Sequence, residues 1–502
     1  MGTECYVKRS LSSLVASSQL LLPLSGLGAP LDLPNKIPRA ERVFVNHDLR
    51  LSGIEWIGFD MDYTLAIYRQ ERMDALSVEL TVDRLIKRGY PTSLKDLRVD
   101  TRFPIRGLLV DRKHGHVLKM DRYKVVHRGY HGMSRIPDDQ IRALYHDARI
   151  RPHIARYHWI DTLFALSEVT SYAAVVGALE ARGDVIDYEK LFHDVRASID
   201  EAHADGTVYK HVTGALDEYV DRDAELARTL HKLRSAGKKL FLLTNSPHSY
   251  TECMMTYLLG NAMPEYPSWR HYFEIVICSA QKPRWFQEGR PLVERDGDVL
   301  KPVRGQLERG RAYEGGNLEE FERLVGVSGS SVLYVGDHIY GDILRSKKES
   351  SWSTAMIIQE LDAEVLAHEA SYEDLTRMRL LEEQLEKLED ELRFYQGRFK
   401  ELSRAPAGNG AEAERTRAKR AVERVRAELR SHVAELGVRA ERVSARFHPY
   451  FGSLLKEQNE MSSFGLQVEL YADIYMRRVS CLKSYSPQQY FRSPYDLMPH
   501  EL

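Results

Sequence analysis

The chain has 502 residues, 43% of them hydrophobic and 29% charged, and its formal net charge is −2. This composition is ordinary for a globular protein, and the length suffices for about three domains. A charge so close to zero argues against a nucleic-acid partner and against a polybasic membrane anchor, because both need a basic excess.

Residues 1–41 begin the chain, and we interpret them as a poorly ordered leader. A leucine- and serine-rich run follows Lys8 and Arg9, but serines and Pro23 interrupt it before a signal-peptide core forms. No other stretch approaches the roughly 20 apolar residues of a membrane span. The four cysteines form no CxxC or Cys/His spacing, so we expect a cytoplasmic location and neither a zinc ribbon nor a disulfide framework.

Short apolar runs that end in polar residues predict the core. Four such runs, at 54–59, 239–243, 273–278 and 332–335, are typical of buried parallel strands. Residues 225–237 have apolar positions at helical spacing and a terminal glycine, which predicts a crossover helix. Strands that alternate with helices predict a doubly wound α/β sheet, in which ligands bind at the carboxyl ends of the strands.

The predicted catalytic core consists of residues 42–64 and 225–370. The segment 65–224 is too long for a crossover, so we expect it to form an inserted cap or substrate region, part of which packs on the core. Residues 447–502 are expected to pack on the core as a C-terminal segment. These boundaries follow from the placement of the apolar runs.

Residues 371–446 are predicted to form a helical hairpin, an antiparallel coiled coil. Apolar residues from Met378 to Leu402 alternate steps of three and four, which is a heptad seam. A breaker at 405–410 precedes a second charged helix, whose apolar positions are Val422, Val425, Leu429, Val433 and Leu436. The hairpin either packs within the chain or serves as a dimerisation arm, and we expect a homo-oligomer.

Asp60 and Asp62 directly follow the first predicted strand. The first carboxylate can attack phosphorus as a nucleophile. The second, which Met61 turns away, can protonate the leaving oxygen and then activate water. Paired aspartates also occur by chance in turns, so this interpretation depends on the residues at the other strand ends.

The other strand ends carry the groups that phosphoryl transfer needs. The run Thr244-Asn245-Ser246 offers hydrogen-bond donors for phosphoryl oxygens, and Lys282 offers a fixed positive charge. Asp337 and Asp342 offer hard oxygen ligands suited to Mg²⁺, which would let an anionic nucleophile approach a phosphate. All four clusters stand in order at predicted strand ends, which favours an enzyme over a set of ordinary loops.

These motifs resemble the haloacid-dehalogenase (HAD) superfamily of aspartate-nucleophile phosphohydrolases. Longer stretches are similar to the cytosolic purine 5′-nucleotidases that prefer IMP and GMP, from about residue 42 to residue 501, with the hairpin in the same place. Those stretches are GFDMDYTLAIY, ELTVDRLIKRGYP, LLTNSPHSYTECMMTYL, YVGDHIYGDILRSKK and LMPHE. The resemblance implies a HAD-like Rossmannoid core with an inserted cap, Mg²⁺-dependent hydrolysis of purine nucleoside monophosphates, and transfer of the phosphoryl group to nucleoside acceptors.

The resemblance also implies roles for individual residues. Asp60 would form an aspartyl-phosphate, and Asp62 would be the general acid and base. The Asp60 carboxylate, the Asp62 carbonyl and Asp337 would hold Mg²⁺, with Asp342 in a supporting position. The phosphate would bind to Thr244, Asn245, Ser246 and Lys282.

The nucleotide pocket is predicted in less detail. Arg196, Asp200 and His203 share one helix face, and the resemblance places them in the pocket; the alternative is a solvated face with an Arg196–Asp200 ion pair. Lys210 is the nearest candidate for a lysine that reaches the phosphate, although it stands one residue beyond the family spacing.

Phe164 resembles the aromatic residue that stacks on the purine, and its alternative role is core packing. The next residue departs from the family, because Ala165 stands where the family has an asparagine that can address the base edge. An alanine side chain makes no hydrogen bond, so the base preference stays open.

Four histidines could suggest a metal site, but we interpret them as ordinary surface and core residues. They are His114, His116, His127 and His131. One alternative function is a phosphatase of the same mechanism that acts on a sugar phosphate or a pyrimidine nucleotide. Another is an inactive oligomeric scaffold, which the intact Asp60, Asp62, Lys282 and Asp337 disfavour.

Overall fold

The computed structural model describes residues 37–146, 150–151, 154–297, 299–303, 305–327, 329–404 and 411–494. Most of the predicted leader, the breaker at 405–410 and the LMPHE stretch lie outside the described residues. The strands are β1 (Phe44–Val45), β2 (Leu49–Arg50), β3 (Trp56–Phe59), β4 (Ile67–Tyr68), β5 (Leu108–Asp111), β6 (His116–Met120), β7 (Val126–His131), β8 (Ser134–Arg135), β9 (Tyr157–Ile160), β10 (Val220–Asp221), β11 (Lys239–Leu243), β12 (Ile275–Cys278), β13 (Leu292–Asp296), β14 (Val299–Pro302), β15 (Ala312–Gly315), β16 (Val332–Gly336), β17 (Ser353–Ile357), β18 (Lys456–Glu457), β19 (Glu460–Met461), β20 (Ile474–Met476) and β21 (Tyr490–Phe491).

The α-helices are numbered in the same way along the chain. They are α1 (Gln70–Lys87), α2 (Asp138–Tyr145), α3 (Leu166–Ala181), α4 (Tyr188–Ala204), α5 (Thr207–Gly214), α6 (Leu216–Tyr219), α7 (Leu226–Ser235), α8 (His248–Leu259), α9 (Leu318–Val325), α10 (Arg345–Glu349), α11 (Leu361–Ala370), α12 (Tyr372–Arg404), α13 (Ala411–Arg446) and α14 (Ser463–Tyr471). The predicted crossover helix is α7.

The main sheet has ten strands in the order β1-β20-β17-β16-β3-β11-β12-β15-β13-β14. All pairings from β20 to β15 are parallel, and they include the four predicted strands, so the doubly wound α/β prediction is confirmed. The sequence reasoning did not include the antiparallel edges β1, β13 and β14. β13 and β14 are antiparallel because only residues 297 and 298 join them, too few for a crossover.

β3 occupies the centre of this sheet, between β16 and β11. Its four residues are all buried, as are those of β12 and β16, which explains the continuous apolar runs. A Cβ atom built on Gly58 would lie 2.2 Å from the ring of Phe241, so only glycine lets β11 pack this way. The chain order reverses at β3, which opens a crevice at the carboxyl ends of β3, β11 and β16.

The chain between β3 and α7 builds a second sheet, the five antiparallel strands β8-β7-β6-β5-β9, with helices α1 to α5 around it. It leaves and re-enters through one short ladder, in which β4 pairs with β10. The predicted limits of this insertion and of the other domains remain our proposal for how the chain is organised.

Within the described ranges one helical stretch, Leu163–Ala181, is long and apolar enough to cross a membrane by length and composition alone, which the sequence pattern did not predict. However, 78% of its most apolar window is buried inside the protein. We therefore interpret it as a core helix, in which apolar residues face protein neighbours on all sides.

The two predicted hairpin helices are present as α12 and α13. Ion pairs join Arg377 to Glu435 and Arg398 to Glu414, so the start of α12 lies beside the later part of α13 and the helices are antiparallel. Val433, predicted on the seam, is instead 57% exposed. His432 faces α12 in its place, with Nε2 3.1 Å from Gln384 Oε1, because the heptad steps of three and four lead from Leu429 to position 432 and not to 433.

Candidate active site

Asp60 and Asp62 lie in the tight turn that follows β3, and both side chains are largely buried. The backbone N–H of Met61 donates to Asp60 Oδ1 over 2.7 Å. Tyr63 has a φ of 56°, in the left-handed region that few residues with a Cβ adopt. Gln359 holds this residue in place by donating from Nε2 to the Tyr63 carbonyl. The backbone is thus strained at Tyr63, directly after the two aspartates and before the insertion begins.

Lys282 is the cation of the site, and it is nearly buried. Its Nζ lies 2.9 Å from Asp60 Oδ1, 2.7 Å from Asp342 Oδ1 and 2.9 Å from the Tyr334 hydroxyl. Burial lowers the pKa of Lys282, but the Asp342 and Asp60 carboxylates raise it by more, so the amine stays charged. The predicted charge balance between Lys282 and Asp60 is thus a direct contact.

Asp60, Asp337 and Asp342 form a group of carboxylates whose oxygens lie within 4.8 Å of one another. Burial, followed by the two neighbouring carboxylates, raises the pKa of Asp337 well above its usual range, and burial likewise raises the pKa of Asp60. Asp337 Oδ2 is buried and has no hydrogen-bond partner among the described residues. A single lysine facing three buried carboxylates leaves excess negative charge, so a divalent cation fits this group of oxygen ligands.

Asp342 is fixed in this group from two sides. Its Oδ1 accepts from Lys282, and its Oδ2 accepts from the backbone N–H of His338 over 3.3 Å. A Cβ atom on Gly336 would lie 2.6 Å from the Asp342 side chain, so the glycine at the end of β16 makes room for it.

The side chains of the predicted phosphate loop are occupied by the protein itself. Ser246 Oγ donates to Asp62 Oδ2 over 2.6 Å. Asn245 clamps the backbone of Lys282, with Nδ2 donating to its carbonyl and Oδ1 accepting from its N–H. The Thr244 hydroxyl accepts from the Ser246 N–H. The run therefore orients Asp62 and Lys282, which spacing along the sequence could not reveal.

Phe164 lies beside the turn that follows β3 and carries Asp60 and Asp62. It sits in a short 3₁₀ turn before α3 and remains 38% exposed. Its ring contacts that of Tyr63 edge-on, with centroids 4.6 Å apart, and the His203 ring lies 6.3 Å away. Ala165 is buried. The structure thus brings Phe164, Tyr63 and His203 together and leaves part of the Phe164 side chain exposed.

Arg196 lies closer to His158 than to Asp200, its predicted neighbour on the helix face. Its Nη1 lies 2.8 Å from His158 Nε2, whereas its Nε lies 3.9 Å from Asp200, whose side chain is largely exposed. Glu168 Oε2, also 3.9 Å from Arg196, is buried and accepts no hydrogen bond from any residue that the structure describes. Lys210 is exposed on α5, and within the described part of the chain its side chain forms no hydrogen bond or ion pair with another predicted site residue.

A second group with metal-ligand chemistry contains Asp111, His114 and His116. The guanidinium of Arg156 already occupies it, with bonds of 2.9 and 2.5 Å to the Asp111 oxygens and 3.0 Å to His114 Nδ1. These bonds, together with those from His114 and Tyr145, lower the pKa of Asp111 to about 2 against the effect of burial. We interpret this group as a structural ion-pair network.

Sequence reasoning missed three side chains that hold the catalytic groups. Tyr68 donates to Asp62, Tyr334 contacts Lys282, and Arg106 donates to the Asp337 carbonyl over 2.9 Å. The two tyrosines lie in apolar strands, so their sequence context predicts core residues. The arginine lies in the insertion, and nothing in the sequence signals its contact with the core.

Asp74 on α1 is a buried aspartate that is not among the predicted site residues. Gln70 Nε2 donates both to Asp74 Oδ1 and to the carbonyl of Leu163, and in the part of the chain that the structure describes Asp74 Oδ2 has no hydrogen-bond partner. Burial raises its pKa to about 8. In the unfolded chain its pKa is near 3.9, so between pH 4 and pH 8 the folded chain keeps a proton that the unfolded chain has released. The free energy of unfolding therefore falls as the pH rises through this range.

We expect the Asp74→Asn variant to gain stability over the wild type as the pH rises, because the amide needs no proton. The difference in the free energy of unfolding should grow by about 1.4 kcal/mol per pH unit between pH 5 and 7. Urea unfolding at several pH values measures it. The Asp296→Asn variant, which changes an exposed aspartate paired with Lys301, should show no such slope. A flat difference for Asp74→Asn would contradict the prediction.

The model of the 5′ nucleotidase family matches residues 43–502. A 5′-nucleotidase domain-containing protein of Dictyostelium discoideum is 29% identical over 477 residues, which cover 91% of this chain and 74% of that protein.

Solved structures overlap only weakly. A predicted phosphoglycolate phosphatase from Haemophilus somnus is 14% identical, with a TM-score of 0.26, covering 61% of this chain and 85% of that one. The putative HAD-hydrolase YfnB from Bacillus subtilis, bound to magnesium, is also 14% identical, with a TM-score of 0.22, covering 61% and 86%.

Proposed function

The chain belongs to the 5′ nucleotidase family and is a phosphoric monoester hydrolase, and we propose that it hydrolyses purine nucleoside 5′-monophosphates of the IMP and GMP type. The reaction yields nucleoside and phosphate through an aspartyl-phosphate on Asp60. The observation that carries the proposal is the contact of Asp60 with Lys282 inside a buried group of carboxylates at the chain-order reversal of the sheet, next to an exposed aromatic ring.

The chain's own residues divide the chemistry. Asp60 attacks phosphorus, and protonated Asp62 gives its proton to the leaving 5′ oxygen, so the nucleoside departs as an alcohol. Asp62, now a carboxylate, takes a proton from the water that attacks the aspartyl-phosphate, which restores both groups and releases phosphate. Lys282 keeps its charge next to Asp60 and stabilises the negative charge of the transferring group.

We propose Mg²⁺ as the divalent cation. The Asp60 and Asp337 carboxylates and the Asp62 carbonyl would hold it, with Asp342 in support, and the unpartnered Asp337 Oδ2 is the oxygen best suited to it. When bound, the ion would neutralise phosphate charge that otherwise repels Asp60. Lys282 supplies one positive charge, which is too little to balance the carboxylates and a phosphate dianion.

Phe164 would stack on the base, with His203 beside it and Arg196 and Asp200 at the pocket edge. Asn245, Ser246 and Thr244 would serve the phosphate through backbone N–H groups and through the residues that they orient. Lys210 remains a proposed phosphate contact that would require its side chain to swing inward. Buried Ala165 is the observation that favours the second candidate, a phosphatase of the same mechanism on a pyrimidine nucleotide or a sugar phosphate.

The test is phosphate release with Mg²⁺ from IMP, GMP, AMP, UMP, CMP and glucose 6-phosphate. The purine proposal requires that IMP and GMP give the highest kcat/KM. If glucose 6-phosphate or a pyrimidine nucleotide leads, the mechanism stands and the second candidate replaces the first. If no compound releases phosphate, the proposed activity is wrong.

Phe164→Ala should raise the KM for IMP by about 10- to 100-fold with little change in kcat, because base–aromatic stacking is worth about 1–3 kcal/mol. The KM for glucose 6-phosphate, which has no base, should change by less than about 3-fold. Steady-state kinetics on both substrates measure the contrast. Equal effects on the two would mean that Phe164 acts only by packing on Tyr63.

Three further features belong to this proposal. Transfer of the phosphoryl group to a nucleoside would follow if its 5′ hydroxyl replaced water at the aspartyl-phosphate. A homo-oligomer would use the hairpin, where Phe394 and Val438 are exposed. The cytoplasm is the proposed location, since Cys253, Cys278 and Cys481 are free thiols in the described chain.

A further inference from the structure

Both oxygens of the Asp62 carboxyl group are held by hydroxyl donors. Tyr68 donates to Oδ1 over 2.5 Å, and Ser246 donates to Oδ2 over 2.6 Å. The donors come from opposite sides of the site, Tyr68 from β4 at the entry to the insertion and Ser246 from the loop after β11. The carboxyl plane is therefore fixed at two points, and only one of the two donors belongs to a recognised catalytic motif.

Tyr68 is itself held in place. Its hydroxyl lies 2.8 Å from that of Tyr250 on α8, and both side chains are buried. The Tyr63 ring packs at 4.9 Å from the Tyr68 ring, and the Tyr209 ring on α5 packs at 4.6 Å from the Tyr250 ring. Tyr68 is thus braced through its hydroxyl by the core and through its ring by the catalytic turn.

We propose that Tyr68, supported by Tyr250, is a positioning residue that holds the Asp62 carboxyl group in the orientation needed to give a proton to the leaving oxygen. This inference rests on the proposed function, because it assumes that Asp62 is the general acid. Neither tyrosine touches the phosphate in this scheme, and each acts only through Asp62.

The geometry suits this task because a carboxyl oxygen has two lone pairs. Each donor uses one lone pair, so one remains on each oxygen to carry the transferable proton. A misplacement of about 1 Å can cost about 10²-fold in rate, so fixing the carboxyl plane has a measurable effect. A phenylalanine at position 68 would fill the same space and leave Oδ1 without this donor.

The need for a proton depends on the leaving group. A nucleoside or sugar alkoxide is a poor leaving group and requires protonation as the P–O bond breaks, whereas p-nitrophenolate leaves readily without it. The kcat/KM covers the steps up to loss of the leaving group. It therefore separates the acid role of Asp62 from its later role as a base toward water.

The experiment compares the kcat/KM of the full-length wild type, Tyr68→Phe and Tyr250→Phe on IMP, glucose 6-phosphate and p-nitrophenyl phosphate with Mg²⁺. We expect Tyr68→Phe to lose about 10- to 100-fold on the alkyl phosphate that the wild type prefers and less than about 3-fold on p-nitrophenyl phosphate. Tyr250→Phe should lose less, but with the same selectivity, because Tyr68 still reaches Asp62. Tyr313→Phe in β15, which removes a buried hydroxyl that accepts from the Glu308 N–H, is the matched control.

A loss that is equal on alkyl and aryl phosphates, or no loss at all, would overturn the inference. Thermal unfolding shows whether Tyr68→Phe is folded; if it is not, the selectivity of Tyr250→Phe decides in the same way. Failure of the proposed function appears in the wild type alone, as no phosphate release from any nucleotide or sugar phosphate of the panel. Failure of this inference appears only when the kcat/KM of each variant is divided by that of the wild type on the same substrate.

Discussion

The Asp60→Asn variant is expected to lose phosphatase activity by about 10⁴-fold or more on every substrate of the panel. The amide keeps the shape of the carboxylate but cannot form the aspartyl-phosphate, so no later step can take place. Phosphate release at high enzyme concentration measures the residual rate. Trapping of ³²P on the wild type but not on the variant would report the covalent step directly.

The same substitution should leave the fold intact or strengthen it. Burial and the nearby Asp342 raise the pKa of Asp60, which means that the charged carboxylate is held there at a cost in stability. Lys282 keeps Asp342 as a partner in the variant. A melting temperature at or above that of the wild type, together with lost activity, separates loss of the nucleophile from misfolding. An active Asp60→Asn enzyme would remove Asp60 from the mechanism.

The sequence was a good guide wherever one physical rule decides the outcome. Parallel strands buried on both faces must be apolar throughout, so the runs that became β3, β11, β12 and β16 stood out. The carboxyl ends of such strands converge, so the order of the motifs already implied that Asp60, Lys282 and Asp337 meet. The structure places these three side chains in one buried cluster.

The remaining features depend on contacts between distant segments. Ser246 and Asn245 looked like phosphate ligands because their side chains can donate hydrogen bonds, yet their partners are Asp62 and Lys282. Tyr68 and Tyr250 are 182 positions apart, and no local pattern marks their shared hydrogen bond. Val433 is a different kind of error, since a strict heptad step from Leu429 already leads to His432, and Val433 is exposed.

Asp337 offers the most direct test of the metal site. Its backbone carbonyl is fixed by Arg106, whose guanidinium also makes two bonds to Glu360, while its Oδ2 is buried without a partner. The surrounding protein thus orients this loop and leaves one carboxylate oxygen unsatisfied. An uncompensated buried oxygen costs about 1–3 kcal/mol, and a bound cation would remove this cost.

Chelation by EDTA should therefore reduce the activity to below about 1% of its value, and Mg²⁺ should restore it better than Ca²⁺, whose larger coordination shell suits the compact group less well. Asp337→Asn should raise the Mg²⁺ concentration for half-maximal activity by at least about 10-fold, because a neutral amide replaces a charged ligand. Saturating Mg²⁺ should also raise the melting temperature of the wild type, as any ligand of the folded state does, and raise that of Asp337→Asn less.

Asp374→Asn is the matched control for that substitution. Asp374 is another buried aspartate, but it lies at the base of the hairpin, where Arg439 and Arg446 already neutralise it. Its loss can lower stability without changing the Mg²⁺ requirement, so the two variants separate a metal ligand from a structural carboxylate. If EDTA leaves the activity unchanged, or if both variants share one Mg²⁺ requirement, Asp337 Oδ2 is a structural oxygen and Lys282 alone must balance the charge of the phosphate.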